Sequence, residues 1–322
     1  MTTDLSEKVR RPAPIVIFGY RRSGHLMRVL EALESQPLAK KSRVFIFLDG
    51  PKGIEDRADV EKVREVAQAR KWNFAETLVF GSKENQGLDL AIPQGLGRVF
   101  RENDRAIIVE DDVVASSGFL EFMNQALTKY QDIEKVMQIS GYAYPIARPF
   151  PRHFFLPLTS CWGWGTWSRA WKHHEWDSRL AESDLKNPEF VKQLDLGRVY
   201  PFSRLIRDVL EKNSPCWDGV WYWKVMRAGG VTLFPATSFV ENIGWDGSGT
   251  HQENQNDAFV VPEGPSIFTE VAWPEEVQVR PEDLDAVCKT IAAREKNRKD
   301  RFRNVSNRFK RWIRKAKECL QN

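Results

Sequence analysis

This chain of 322 residues is poor in the features that define several classes of protein. Its four cysteines, at positions 161, 216, 288 and 319, are too few and too scattered for a disulfide framework or a zinc knuckle. No apolar run approaches the roughly 18 residues that span a bilayer, and residues 1–7 lack the basic and then apolar order of a signal peptide. These absences argue against a secreted disulfide-stapled domain and a membrane-spanning protein, so we expect a reducing cytoplasm as its setting.

The composition is that of a globular protein whose charge is unevenly distributed. Hydrophobic residues make up 42% of the chain, which is enough to bury a core and excludes wholesale disorder. The net charge is +4, but residues 289–317 contain 13 Lys and Arg against Glu295 and Asp300, a net of +11. The rest of the chain therefore has a net charge of −7. An acidic body with a basic tail argues against a nucleic-acid partner.

Apolar runs alternate with helical periodicity through the first 140 residues. Strands are predicted at 15–18, 43–48, 77–80, 106–109 and 136–140. Between them, helical spacing of apolar residues predicts helices at 26–33, 54–70, 88–100 and 119–130. This alternation predicts the α/β class, with a mixed, mainly parallel sheet flanked by helices. After about residue 145, tryptophan, proline and glycine become frequent, and we interpret this segment as a region built onto the first sheet.

Polar residues follow four of the predicted strands, at the sheet edge where ligands of parallel sheets bind. They are Arg21-Arg22, Asp49-Gly50, the Asn-Gln-Gly run at 85–87, and the triplet Glu110-Asp111-Asp112. Three adjacent carboxylates at the end of a buried strand repel one another and need a cation. Hard oxygen ligands suit Mg²⁺ or Mn²⁺, which can bridge to a diphosphate. The alternative is an acidic loop solvated at the surface.

The sequence Ile-Ile-Val-Glu-Asp-Asp at 107–112 also resembles the sequence near the start of phosphoryl-receiver domains. A receiver domain needs a further aspartate at the end of a strand some forty residues later. The corresponding strand here ends Gln138-Ile139-Ser140-Gly141 and supplies no carboxylate. The sequence therefore disfavours that class.

Taken together, these residues resemble a known enzyme family. The run Val16-Ile17-Phe18-Gly19-Tyr20-Arg21-Arg22, then Phe47-Leu48-Asp49-Gly50, then the acidic triplet resemble GT-A nucleotide-sugar glycosyltransferases. The Thr159–Trp167 segment and the 244–251 segment are similar to bacterial members. Among these enzymes, the residues resemble N-acetylglucosaminyltransferase I-like enzymes and bacterial family 2-type transferases. The resemblance covers roughly residues 13–255.

The resemblance implies a role for each matching position. Arg22 approaches the nucleotide or its diphosphate, Asp49 hydrogen-bonds the base, and Glu110 contacts the ribose. Asp112 ligates Mn²⁺ or Mg²⁺ in a DXD-like motif, with Asp111 nearby through water. A Gln-x-x-Arg-Trp motif is absent from the sequence, so it does not resemble processive synthases.

Two further residues complete the expected site. Asp218 lies among aromatic residues, where partial desolvation raises a carboxylate's pKa, and it matches the general base of N-acetylglucosaminyltransferase I-like enzymes. The alternative is that Asp218 serves only as the N-cap of a helix. His251 follows a glycine-rich stretch and is a candidate metal ligand, since GT-A enzymes recruit a histidine late in the catalytic domain; alternatively it is a surface histidine, with Asp246 as a substitute ligand. Tryptophan faces stack on sugar rings but also fill cores, so we expect one or two of the eight at 162–223 to touch a ligand.

The C-terminal tail has the pattern of a basic amphipathic helix. From about 301, apolar residues recur at spacings of three and four with Arg and Lys between them, which is typical of a helix on an anionic membrane surface. The alternative is a helix that packs on the domain or dimerises. We expect an N-terminal extension at 1–12, a nucleotide-sugar-binding half at 13–145, an acceptor-binding and catalytic half at 146–287, and this helix at 288–322.

The predicted function is metal-dependent transfer of a sugar from a nucleotide-sugar donor to a glycan or lipid-linked saccharide, with inversion, in cell-surface polysaccharide assembly. The expected location is the cytoplasm, peripheral at the inner face of the plasma membrane. Two alternatives stay open: a sugar-phosphate nucleotidyltransferase, and a non-catalytic glycan-binding protein of the same fold.

Overall fold

The computed structural model describes residues 11–146, 151–212, 216–248 and 272–296. The strands are β1 (Ile15–Gly19), β2 (Arg43–Leu48), β3 (Glu76–Gly81), β4 (Arg105–Glu110), β5 (Val113–Ala115), β6 (Val136–Ser140), β7 (Phe154–Leu156), β8 (Trp164–Trp167), β9 (Val231–Phe234) and β10 (Val240–Asn242). The helices are α1 (Ser23–Glu34), α2 (Arg57–Gln68), α3 (Leu88–Val99), α4 (Phe119–Lys129), α5 (Ser168–Trp171), α6 (Ser178–Leu185), α7 (Pro188–Leu194), α8 (Phe202–Lys212), α9 (Trp217–Arg227) and α10 (281–296).

Eight of the strands form one sheet in the order β3-β2-β1-β4-β8-β6-β9-β7. The pairs among β3, β2, β1 and β4 are all parallel, as is β6 with β9. Strand β8 runs antiparallel to both β4 and β6, and β7 runs antiparallel to β9. Strands β5 and β10 form a small antiparallel pair of their own. The predicted α/β class, with a mixed and mainly parallel sheet, is confirmed.

Strand β1 is buried on both faces, because its successive side chains enter two different cores. Ile15 and Ile17 pack in one cluster with the buried face of α1, where Leu26 and Leu30 lie. Val16 and Phe18 point the other way and pack with Leu96 of α3 and its neighbours. Helices therefore cover the sheet on both faces, as the apolar runs predict.

The register of the parallel strands brings their polar ends to one edge. Phe18 of β1 pairs with Phe47 of β2 on one side and with Glu110 of β4 on the other. The residues that follow, including Arg22, Asp49 and Asp112, therefore meet at the carboxyl edge of the sheet. Helix α2 begins three residues later than predicted, at Arg57.

The C-terminal part of the chain is described up to residue 296. Helix α10 packs Val287 and Ile291 into a third core cluster with Leu194 and Trp223. The predicted amphipathic helix from about 301 lies outside the described residues. Within the described ranges, no helix has the length and apolar character needed to cross a bilayer.

Candidate active site

A cleft of about 1260 Å³ lies at the carboxyl ends of β1 to β4. It is lined by Arg22, Asp49 and the acidic triplet, and also by Trp162, Trp217, Asp218 and Trp245. The cleft therefore joins most of the residues that the sequence singles out. His251 lies outside the described residues, so its role as a metal ligand stays a prediction.

Arg22 binds two members of the acidic triplet. Its Nη2 donates to Asp111 Oδ1, and its Nη1 lies 2.8 Å from Asp112 Oδ2. The Asp111 carboxylate is buried and also accepts a hydrogen bond from the backbone N–H of Tyr20 at 3.2 Å. Glu110 is half-buried, and among the described residues no hydrogen bond or ion pair holds its carboxylate. Glu110 is thus the member of the triplet left facing the cleft.

The triplet remains short of positive charge despite Arg22. Burial, together with Asp112 and Asp111, raises the pKa of Glu110 well above its ordinary value. Burial also raises the pKa of Asp111, against the opposing effect of Arg22. Burial acts to lower the pKa of Arg22, but its two aspartate partners raise it further, so the guanidinium is firmly charged. Three carboxylates and one guanidinium leave a formal charge of −2, which suits a divalent cation.

The donor set also fits such a cation. Asp112 offers a half-buried carboxylate at the cleft, which is a hard oxygen ligand of the kind that Mg²⁺ and Mn²⁺ prefer. Within the described ranges, no group of three or more His, Cys, Asp or Glu side chains is arranged to hold a metal ion. A cation here would therefore take part of its coordination from a bound ligand.

Asp49 has a role that the sequence does not reveal. Its Oδ1 accepts from the N–H groups of Gly50 and Gln86, both at 2.8 Å. Its Oδ2 accepts from Gly87 N at 2.8 Å and from Asn85 Nδ2 at 2.9 Å. The carboxylate therefore braces the loop after β2 against the loop after β3, while its predicted contact with a base stays a prediction.

Asp218 lies at the cleft wall, but two expectations about its surroundings are wrong. The residue is exposed, so the predicted desolvation by tryptophans is absent. The N-cap of α9 is Cys216, and Asp218 lies within the first helical turn. Its Oδ1 accepts from Gly219 N at 2.9 Å and from Cys216 Sγ at 3.3 Å. Burial, then Asp218, raises the pKa of Cys216 to about 12, so that thiol keeps its proton and can donate.

Asp89 holds the start of α9, and no motif in the sequence marks it. Its Oδ1 accepts a hydrogen bond from the backbone N–H of Trp217 at 2.7 Å, across 128 residues of sequence. Asp89 lies in the first turn of α3. This bond ties the helix that carries Asp218 to the half of the sheet that carries the acidic triplet.

The structure separates cleft tryptophans from core tryptophans. Trp162, Trp217 and Trp245 are half-buried and line the cleft. The core tryptophans of this region are buried: Trp164, Trp167, Trp171, Trp221 and Trp223. Trp217 stacks on Trp164 with ring centroids 5.8 Å apart, and Trp162 meets Trp245 edge to face at 6.2 Å. Trp217 is therefore backed by the core, whereas Trp162 and Trp245 support each other within the cleft wall.

The loop after β10 closes over the acidic triplet. Ile243 N donates to the carbonyl oxygen of Asp112 at 2.8 Å. A Cβ added to Gly244 would lie 2.4 Å from Asp112 Oδ2 and 3.0 Å from Arg22 Nη1, so the backbone passes directly against that ion pair. His25 Nε2 lies 3.3 Å from Asp246 Oδ2, which fixes the far side of the loop. Asp246, the substitute metal ligand, is thus engaged with His25.

Comparison with known proteins finds solved structures that are glycosyltransferases. Mouse xyloside xylosyltransferase 1 is similar with a TM-score of 0.36 at 10% identity, over 66% of this chain and 81% of that protein. A fragment of TarS from S. aureus is similar with a TM-score of 0.39 at 11% identity, over 71% of this chain and 59% of the fragment. An active-site mutant of LgtC is similar with a TM-score of 0.30 at 11% identity, over 56% of this chain and 64% of that protein. The alignment thus covers less than two thirds of the TarS fragment and of LgtC. No family model and no curated protein sequence matches the chain.

Proposed function

We propose that the chain is a GT-A-type glycosyltransferase that moves a sugar from a nucleotide donor to a saccharide or a lipid-linked saccharide. One observation carries the proposal: a single cleft is lined both by an acidic triplet paired with Arg22 and by the exposed carboxylate of Asp218 together with three tryptophans. The first group suits a diphosphate and a cation, and the second suits a sugar hydroxyl.

The donor side of the cleft neutralises the leaving group. Asp112, with Asp111 beside it, would hold Mn²⁺ or Mg²⁺, which supplies positive charge to the departing diphosphate. Arg22 supplies a further positive charge at the same place. Glu110, which lines the cleft, would accept a hydrogen bond from a donor hydroxyl such as that of the ribose.

The acceptor side removes a proton. Asp218 takes the proton of the acceptor hydroxyl as that oxygen bonds to the anomeric carbon, while the bond from that carbon to the phosphate oxygen breaks. Attack from the face opposite the leaving group gives inversion. Because Asp218 is exposed, its strength as a base depends on closure of the cleft over the acceptor rather than on burial in the free protein.

The setting that we propose is the cytoplasm, at the inner face of the plasma membrane, in assembly of a cell-surface polysaccharide. The net charge of +11 over 289–317 supports binding to an anionic membrane surface, which would hold the enzyme near a lipid-linked acceptor.

The proposal is tested first by ligand-dependent melting of the full chain with UDP, GDP, CMP or TDP, each with Mn²⁺ or with EDTA. Saturation at about 100 times Kd adds about 2.7 kcal/mol to stability. We expect one nucleotide to raise the melting temperature, and Asp112→Asn to abolish the shift, whereas the exposed Asp59→Asn on α2 leaves it unchanged.

Release of the nucleoside diphosphate distinguishes the proposed enzyme from a glycan-binding protein. Incubation with the matching nucleotide sugar and a saccharide mixture should release the nucleoside diphosphate, and Asp218→Asn should slow that release. Absence of a melting shift with every nucleotide would overturn the proposal. Binding without any release of diphosphate would identify a glycan-binding protein of the same fold.

A further inference from the structure

The guanidinium of Arg22 occupies the acidic site that we assign to the donor's cation. Its side chain is 17% exposed, and its partners Asp111 and Asp112 are 4% and 14% exposed. The ion pairs are therefore shielded from water. In such a position they are screened less than ion pairs on the surface.

Helix α1 holds the backbone of Arg22 in place, whereas the side chain of Arg22 lies outside the helix. Arg22 is the N-cap residue of α1, and its carbonyl oxygen accepts the N–H of Leu26 at 3.0 Å. Gly244 blocks movement toward the loop after β10, since its backbone already lies against the pair. The guanidinium can therefore move toward the cleft, which Arg22 lines.

A divalent cation and Arg22 compete for the same charge. The guanidinium contacts Oδ2 of Asp112, the carboxylate that we assign to the metal, and two cations a few ångströms apart repel one another strongly in a partly dry site. A diphosphate removes this conflict, because it offers Arg22 a second anionic partner of matching geometry.

We propose that Arg22 is an exchangeable counter-cation, which neutralises Asp111 and Asp112 in the free protein and turns from Asp112 onto the donor's diphosphate when a divalent cation binds. This inference rests on the proposed function for the identity of the ligands. Binding of the metal then tightens binding of the diphosphate, and binding of the diphosphate tightens binding of the metal by the same factor, because each ligand reduces the repulsion or the loss of ion pairing that opposes the other.

The test measures Mn²⁺ binding to the full chain without nucleotide, from the electron paramagnetic resonance signal of free Mn²⁺. Removing the competing guanidinium in Arg22→Gln should tighten Mn²⁺ binding by about tenfold or more. The matched control is Arg28→Gln, which removes the same charge from an exposed position of α1 outside the cleft lining. It should change the affinity by about twofold or less, because an exposed charge is screened. Arg22→Lys, which keeps the charge without the paired geometry, should fall between Arg22→Gln and the wild type.

A second measurement follows the coupling itself. In the wild type, the nucleoside diphosphate that stabilises the chain should tighten Mn²⁺ binding strongly, and in Arg22→Gln the same nucleotide should have a markedly smaller effect. In EDTA, that nucleotide should bind Arg22→Gln more weakly than the wild type. Melting curves of each variant show that it is folded.

The inference fails if Arg22→Gln binds Mn²⁺ no more tightly than the wild type, or if neither protein binds it. These outcomes differ from failure of the proposed function, since the metal measurement needs no sugar. If Arg22→Gln binds the metal more tightly but the wild type transfers no sugar, the role of Arg22 as a counter-cation stands and the proposed transferase activity is refuted.

Discussion

The brace made by Asp49 predicts a large loss of stability for an almost isosteric change, Asp49→Asn. Each carboxylate oxygen accepts two hydrogen bonds, so the new amide group must face two N–H donors in place of an acceptor. A hydrogen bond to a charged group contributes about 1.5–3 kcal/mol. Because the loops are partly open to water, we expect a loss of about 2–4 kcal/mol, which lowers the melting temperature of a chain of this size by about 3–6 °C.

The neighbouring backbone leaves little room to relax. A Cβ added to Gly50 would lie 2.4 Å from the carbonyl carbon of Glu84, so the two braced loops are already in backbone contact. The lost hydrogen bonds therefore have no alternative geometry close by.

Thermal and urea unfolding of the full chain measure the effect. The control is Asp59→Asn, an exposed partner of Lys62 on α2, which should change stability by about 0.5 kcal/mol or less. A wild-type melting temperature for Asp49→Asn, together with lost nucleotide affinity, would refute the brace and leave Asp49 as a residue that acts on the base.

Three further predictions address the loop over the triplet, the start of α9 and the buried histidine. Gly244→Ala should weaken nucleotide binding by about tenfold or more because its Cβ displaces the ion pair beneath it, whereas Gly24→Ala, with no atom within 4 Å, should not; equal affinities would contradict this. Asp89→Ala should lower kcat by about tenfold or more with little change in donor KM, because it releases the helix that carries the proposed base, Asp218, and Asp89→Asn, which keeps the acceptor oxygen, should restore most of it. Burial lowers the pKa of His153 to about 4, so the unfolded chain binds the proton more tightly and stability should fall as the pH drops from about 6.5 to about 4. His153→Asn should flatten this fall in urea titrations while His173→Asn, at an exposed site, should not; parallel curves for all three proteins would rule it out.

The half of the fold with regular alternation is predictable because local pattern and tertiary position agree there. Strand β1 is an unbroken apolar run, and a strand buried on both faces requires such a run. The acidic triplet begins with the last residue of β4, so chain order alone brings it to the carboxyl edge beside Arg22. Contacts that join distant segments leave no such signal: Asp89 and Trp217 are ordinary residue types in ordinary helix starts.

The error over Asp218 has a physical cause. Aromatic neighbours in sequence suggest burial, but Asp218 lies in the first turn of α9 and is exposed, whereas Trp221 and Trp223, further along the same helix, are buried. The end of a helix can project beyond the core that covers its middle. A count of the tryptophans near Asp218 in sequence does not contain this difference.

The reversed strand β8 explains how one cleft acquires both of its walls. Trp164 pairs with Ile108, near the end of β4, so the residues just before β8 lie beyond the carboxyl edge of the sheet. Cys161 and Trp162 therefore reach the acidic triplet, whereas a parallel β8 would begin at the opposite edge and carry them away from it. Strand β4 thus has a parallel neighbour that delivers Arg22 and an antiparallel neighbour that delivers an aromatic wall. In the proposed function, an anionic donor and a saccharide meet at the end of β4 because its two neighbours run in opposite directions.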